Sequence, residues 1–205
     1  MKRKIWQFVF LASLVSSLLF LKADHAQAST RSQAMKAYNR LLSISTIDWG
    51  DGKYYPTGNL TFTLAYIDKD NVPELLLYSD DVPHVAGYGK AYTYRNGKLV
   101  TISSCDDIGF YKKSGVFCEE YETRYAFYTA YKVLKKGKTC EIARITENKP
   151  DPDTLKMVKK YTDKKGRSIS KKQFQKIFKK YAGKQKLSGY KVVKNTASNR
   201  KKYFR

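Results

Sequence analysis

Histidine and cysteine are scarce in this sequence, and their scarcity limits the chemistry that the chain can support. There are two histidines and three cysteines in 205 residues, and His84 is the histidine beyond position 28. No Gly-x-Ser-x-Gly or other nucleophile motif surrounds a serine or cysteine, so a Ser–His or Cys–His enzyme lacks sequence support. His84 lies in a Pro-His-Val segment and is interpreted as a solvated loop residue. Gly87-Tyr88-Gly89 matches neither glycine-rich phosphate-binding pattern.

The three cysteines, Cys105, Cys118 and Cys140, are too far apart in sequence to suggest a metal site. Structural zinc sites use closely spaced pairs of ligands, and no such pair is present. In an oxidising compartment two of the cysteines could form a disulfide, or all three could remain free thiols that pack as small apolar groups. The sequence leaves these alternatives open.

The N-terminal segment has the three parts of a cleavable export signal. Lys2–Lys4 is basic, Ile5–Leu21 is largely apolar, and Ala26-Gln27-Ala28 matches the small-residue cleavage pattern. We therefore expect a signal peptide at 1–28 and export of the Gram-positive type to a secreted or cell-surface location. The apolar run is at the short limit for a membrane span. No later segment has the length and apolarity of a span, so no transmembrane anchor is expected after cleavage.

Acidic residues are few and unevenly placed. The formal net charge is +22, from 40 lysines and arginines against 18 acidic residues. Residues 29–148 carry 16 basic and 14 acidic residues, whereas residues 149–205 carry 20 basic and 3 acidic residues. We therefore divide the mature chain into a body at 29–148 and a basic C-terminal extension at 149–205. Such asymmetry indicates an anionic partner, although the lysines could also serve solubility alone.

Hydrophobic periodicity predicts an α+β fold. Apolar residues at helical spacing predict a helix at 31–44, and residues 49–59 are predicted to be a loop because of their glycines and proline. Short β-type segments with tight connections then predict an antiparallel β-meander sheet on which the N-terminal helix packs. Asn96-Gly97 gives the clearest hairpin signal. The predicted strands are 60–67, 74–78, 88–95, 98–103, 110–112, 116–121, 123–134, 139–146, 156–162, 167–169 and 190–193.

The basic extension is predicted to contain an amphipathic helix and to pack on the body. Ser170 and Gln173 form a capping-box pattern at its start. One face is apolar and is expected to be buried, and the other is lysine-rich, exposed and the predicted anion-binding surface. The apolar residues are Phe174, Ile177, Phe178 and Tyr181, and the lysines are Lys171, Lys172, Lys176, Lys179 and Lys180.

An acidic loop between two predicted strands is a weak calcium candidate. Asp68, Asp70 and Glu74 lie at alternating positions, as calcium ligands often do. The loop resembles the Asp-x-Asp loops of integrin-type β-propeller blades. Val72, however, replaces a third carboxylate, and Pro73 replaces a glycine. The alternative is a turn closed by Asx hydrogen bonds. No other cofactor is expected.

Four segments carry a resemblance to a known group of proteins. They are Tyr66–Leu75, Tyr94–Lys98, Ser170–Phe174 and Lys194–Arg200. Together with the signal peptide they resemble uncharacterised small exported proteins of clostridial Gram-positive bacteria, a group without an established activity. The resemblance implies a compartment and a style of fold, and it supplies no site residues.

These observations favour a secreted or envelope-associated, non-enzymatic binding protein. Its cationic C-terminal surface is expected to bind an anionic cell-wall polymer or an acidic glycan, and nucleic acid is disfavoured. One alternative is a calcium-dependent extracellular binding module that uses the acidic loop, and another is an extracellular enzyme or enzyme inhibitor. Tyr54, Tyr55 and Tyr88 are candidates for stacking on sugar rings, although packing and loop roles are the favoured interpretation of these tyrosines.

Overall fold

The structure, a computed structural model, describes residues 30–150 and 157–205. The predicted signal peptide and its cleavage site lie outside the described residues. In the described part, three α-helices and thirteen mostly short strands form an α+β fold, which confirms the predicted class. No helix in these ranges combines the length and the apolar character that a membrane crossing needs.

The helices and strands follow one another as below. The helices are α1 (30–43), α2 (Lys171–Ala182) and α3 (Ala197–Tyr203). The strands are β1 (Thr46–Asp48), β2 (Tyr54–Pro56), β3 (Thr61–Ala65), β4 (Glu74–Tyr78), β5 (Gly89–Arg95), β6 (Lys98–Cys105), β7 (Asp107–Tyr111), β8 (Val116–Glu122), β9 (Ala126–Lys135), β10 (Lys138–Asn148), β11 (Lys159–Asp163), β12 (Ser168–Ile169) and β13 (Val193–Lys194).

The predicted meander divides into two sheets instead of forming one. One sheet has five strands in the order β13-β3-β4-β5-β6, and the other has six in the order β12-β11-β10-β9-β8-β7. The division falls after Cys105, between β6 and β7. The cause lies in residues such as Leu75 and Leu76, which are both fully buried although they point to opposite faces of β4. A sheet with two apolar faces must be covered on both sides.

The two sheets pack face to face. Leu76 and Ala91 of the five-stranded sheet belong to one apolar cluster with Ile108 and Phe117 of the six-stranded sheet. The opposite face of the five-stranded sheet contributes Leu75 and other residues to a second cluster. The members that α1 supplies to this second cluster are Ala34, Met35, Tyr38 and Leu42. The predicted packing of the N-terminal helix on the sheet is therefore confirmed.

The basic extension shares hydrogen-bonded sheets with the body. Strand β11 pairs with β10 in the six-stranded sheet, and β13 pairs with β3 in the five-stranded sheet. Phe204 stacks on Phe62 with ring centres 5.2 Å apart, and Tyr203 meets the same ring edge-on at 5.7 Å. The change in charge at residue 149 therefore does not coincide with a break in packing.

Residues 46–56 form a hairpin, and its second strand, β2, lies within the loop predicted at 49–59. Ile47 of β1 lies opposite Tyr55 of β2, and both are buried. Trp49 is also buried, and its Nε1 donates a hydrogen bond to the carbonyl oxygen of Gly87 at 2.7 Å. The hairpin therefore gains its stability from packing on the five-stranded sheet, which local propensity does not reveal.

Candidate functional site

The lysine-rich helix α2 begins and ends as its sequence predicts. Ser170 Oγ accepts from Gln173 N at 3.2 Å, and Gln173 Oε1 accepts from Ser170 N at 2.8 Å, which completes the capping box. Gly183 ends the helix with a φ of 63°. The capping box satisfies backbone N–H donors of the first turn. Gly183 adopts a positive φ that other residues resist.

Aromatic contacts fix α2 on the outer face of the six-stranded sheet. Phe174 and Phe178 both meet Tyr131 edge-on, with ring centres 5.2 and 5.4 Å apart. Phe174 is 8% exposed, as predicted, whereas Ile177 and Phe178 are only half-buried. Tyr181 is 39% exposed, so its predicted burial is wrong. The sheet contact runs through Phe174, Phe178 and Ala182, and Tyr181 lies at the edge of that row.

All five predicted anion-binding lysines of α2 are exposed. Within residues 30–150 and 157–205, none of them has a carboxylate oxygen within 4.0 Å of its ammonium nitrogen. Because the helix is held on the sheet by its aromatic side, these charges form a fixed cationic surface. We call Lys171, Lys172, Lys176, Lys179 and Lys180 the cationic face.

The two aspartates of the acidic loop are engaged within the chain. Asp68 Oδ1 accepts from Asp70 N at 3.0 Å, and Asp70 Oδ1 accepts from Val72 N at 2.9 Å. These are the Asx hydrogen bonds of the alternative interpretation. Their other oxygens face Arg95, at 3.8 Å from Asp68 and 3.3 Å from Asp70. A cavity of about 400 Å³ borders this group and also touches Lys135.

Glu74, the third calcium candidate, is fully buried between the two sheets. Its Oε2 accepts from Ile67 N at 3.0 Å, and its Oε1 accepts from Thr93 Oγ1 at 3.1 Å. Burial, and then the charge of Asp68, raises the pKa of Glu74 to about 8. In the described ranges, no three His, Cys, Asp or Glu side chains are grouped to hold a metal ion. Calcium binding at Asp68, Asp70 and Glu74 stays a prediction.

A second concave region, which sequence reasoning missed, lies at one end of the sandwich. It is a cavity of about 340 Å³ bordered by His84, by Tyr88 before β5, and by residues of β7, β8 and β9. His84 Nε2 lies 3.0 Å from Asp106 Oδ2, so the predicted loop histidine has a carboxylate partner. We call this region the strand-end cleft.

The strand-end cleft brings carboxylates together. Asp107 of β7 lies directly opposite Glu120 of β8. Asp107 Oδ1 accepts from Ile108 N at 2.7 Å and from Tyr190 Oη at 3.1 Å. Burial, and then the charge of Asp107, raises the pKa of Glu120. The available signal was two acidic pairs, Asp106-Asp107 shortly before the predicted strand 110–112 and Glu119-Glu120 within the predicted strand 116–121. Using it required the strand register.

The three cysteines all lie in the described part of the chain, and none is paired. Cys105 and Cys118 are buried, and burial raises the pKa of both thiols, that of Cys118 to about 12. A thiol that remains protonated is a poor nucleophile, so these two act as small apolar core residues.

No family model matches the chain, and no curated protein matches it. Among solved structures, a match is found to a Xanthomonas protein described as related to a Type IV secretion system, with 18% identity and a TM-score of 0.40. The alignment covers 53% of this chain and 57% of that protein. The chain thus spans little more than half of that protein, and a likeness at this level carries no argument about fold or function.

Proposed function

We propose that the chain is a secreted or envelope-associated, non-enzymatic binding protein that holds an anionic polymer on the cationic face. The observation that carries the proposal is that five exposed lysines lie on one rigidly packed helix without a carboxylate within 4.0 Å in the described residues. Charges of one sign that the fold does not neutralise are available to a ligand of the opposite sign.

The placement of these lysines is not optimal for the helix itself, although Lys179 and Lys180 lie in the last turn, where the helix dipole favours positive charge. Lys172, Lys176 and Lys180 are spaced four residues apart, so each ammonium group repels the next. Lys171 also lies in the first turn, where the helix dipole favours negative side chains, and that turn contains no acidic residue. The i,i+4 lysine repeats and the lysine in the first turn do not stabilise the helix, so an external anion is a better explanation for them than a structural role.

The residue type indicates the class of ligand. Lysine is a flexible point charge, whereas arginine presents a planar fork suited to one shaped anion. A row of exposed lysines therefore fits a flexible polymer of repeating negative charge, such as an anionic cell-wall polymer or an acidic glycan. Binding of this kind is screened by salt within about 8–10 Å at physiological ionic strength.

The test compares the intact protein with a variant in which all five lysines of the cationic face are changed to glutamine. Binding is measured to immobilised linear polyphosphate and to heparin over a range of salt concentrations. Polyphosphate stands for a phosphate-rich cell-wall polymer, and heparin stands for an acidic glycan. Exposed ion pairs contribute about 0.2–1 kcal/mol each. Losing five of them is expected to weaken binding by about fivefold or more at 0.15 M salt.

A matched control separates the cationic face from net charge alone. Lys36, Lys53, Lys98, Lys112 and Lys138 are exposed lysines of the body, and changing them to glutamine removes the same charge. The control should retain most of the binding. Equal losses in the two variants, or binding by the wild type that persists at molar salt, would refute the proposal. The polymer whose binding falls more in the five-lysine variant of the cationic face is the type of ligand that this surface prefers.

A further inference from the structure

The strand-end cleft is bordered by exposed aromatic side chains, and none of them belongs to the cationic face. Tyr88 and Phe127 border the cavity and are 37% and 41% exposed. Tyr121 and Tyr128 border the same cavity. Large aromatic residues beside a concave, partly open space are typical of ligand sites, because a flat ring offers contact area at little cost in side-chain entropy.

The remaining border of the cleft is mostly acidic. Asp107 and Glu120 lie on directly opposed strand positions, where like charges repel. In the part of the chain that the structure describes, neither carboxylate has a lysine, arginine or histidine nitrogen within 4.0 Å. The body nevertheless keeps both carboxylates at the edge of the cavity, and a positively charged ligand would relieve their repulsion.

At the rim of the cleft, an ammonium group of the chain itself already contacts a carboxylate and an aromatic ring. Lys149 Nζ lies 2.5 Å from Glu122 Oε1 at the rim, and it lies 5.1 Å from the centre of the Phe127 ring. An alkylammonium is thus already held between a carboxylate and an aromatic face. A cation is attracted both to a carboxylate and to the face of an aromatic ring, and the border of the cleft offers the same two kinds of group further in.

We infer that the strand-end cleft binds a sugar unit that carries a protonated amine, as in an oligosaccharide of hexosamine units. The aromatic side chains would contact the apolar face of the ring. Asp107 and Glu120 would bind the ammonium, and the remaining acceptors would bind hydroxyl groups. This site is distinct from the cationic face, carries the opposite charge, and does not rest on the proposed polyanion binding.

Three matched ligands test the inference on the intact protein by isothermal titration calorimetry at about pH 6.5, where the sugar amine is protonated. They are a tetramer of glucosamine, the corresponding tetramer of N-acetylglucosamine, and spermidine. The glucosamine tetramer is expected to bind at least about tenfold more tightly than either of the others. The acetylated sugar lacks the charge, and spermidine lacks the ring.

Point variants place the binding in the cleft. Glu120→Gln removes one charge at an exposed position, and Phe127→Leu removes the ring while keeping an apolar side chain. Each is expected to weaken binding of the glucosamine tetramer at least about fivefold. Asp80→Asn, which removes an exposed charge outside the cleft, should leave binding within about twofold. Melting temperatures close to that of the wild type establish that the variants are folded.

Several results would overturn the inference. Failure of the glucosamine tetramer to bind would do so, as would equal binding of the acetylated tetramer or of spermidine. Equal losses in Glu120→Gln and Asp80→Asn would show that only net charge matters. None of these outcomes depends on the polyphosphate and heparin measurements, so this inference and the proposed function can fail separately.

Discussion

Two ionisable side chains, Glu74 and Lys90, are buried, and each hydrogen-bonds to residues outside its own strand. Lys90 is 6% exposed, and its Nζ donates to the carbonyl oxygens of Asp48 at 3.0 Å and Trp49 at 2.8 Å. Burial lowers the pKa of Lys90. Because buried charges are costly without such partners, Lys90 fixes the β1–β2 hairpin to β5.

Glu74 makes stability depend on pH. Its folded-state pKa is raised to about 8 by burial, from an ordinary value of 4.5. A carboxyl group with a raised pKa stabilises the fold most fully below its unfolded pKa, and that stability is lost as pH rises through the folded pKa. Glu74→Gln should therefore match the wild type near pH 4.5. By pH 8.5 its melting temperature should be higher by at least about 3 °C, which corresponds to ~1 kcal/mol.

Thermal unfolding of both proteins from pH 4.5 to 8.5 measures this difference. Asp80→Asn is the matched control, because it also removes one carboxylate but at an exposed position. Parallel curves for Glu74→Gln and the wild type would contradict the prediction. Asp68, whose pKa burial raises to about 6, contributes a dependence of the same sign in all three proteins.

At the scale of the element, local signals predicted structure wherever local contacts determine it. The Asn96-Gly97 turn has φ values of 50° and 77°, as a two-residue hairpin turn requires, and α2 begins with its predicted capping box. The β1–β2 hairpin has no such signal, because its glycines and proline resemble a loop. Its stability comes from Trp49, which packs in the apolar cluster of the five-stranded sheet and donates a hydrogen bond to Gly87, far away in sequence.

The same distinction between local and long-range signals applies to the candidate sites. The exposed lysines of α2 were predictable, because a helical period assigns each residue to a face. The strand-end cleft was not, because it depends on the pairing of β7 with β8 and on where the sheet divides after Cys105. A shift of one residue in that register would have moved Asp107 and Glu120 to the opposite face.

The aromatic anchor of α2 gives an element-scale prediction. Phe174→Ala should lower the free energy of unfolding by about 3 kcal/mol, because it leaves a cavity against Tyr131 and Tyr161. Tyr181→Ala removes an aromatic ring from the same helix at an exposed position and should cost about 1 kcal/mol or less. Urea unfolding measures both, and equal losses would show that α2 is not held by its Phe174 side.

At the scale of the whole molecule, the charge boundary and the packing boundary differ. The last 57 residues carry 20 of the 40 basic residues, yet they supply strands to both sheets and two rings against Phe62. A loosely attached tail would let the lysines move independently. An extension built into the sheets instead holds the cationic face in a fixed position relative to the strand-end cleft.

This integration predicts that the body does not fold well by itself. A chain ending at residue 148 lacks the β11 and β13 partners of β10 and β3, and it exposes Phe62 and Tyr131. We expect it to lose cooperative thermal unfolding, because unpaired strand edges and uncovered apolar faces remain.

The full-length variant with glutamine at the five lysines of the cationic face separates charge from packing. It keeps every aromatic contact and relieves like-charge repulsion, so it should melt at or above the wild-type temperature. If the truncated body melts as sharply and at the same temperature as the full chain, the extension is only an attachment, and the cationic face is not held by the sandwich.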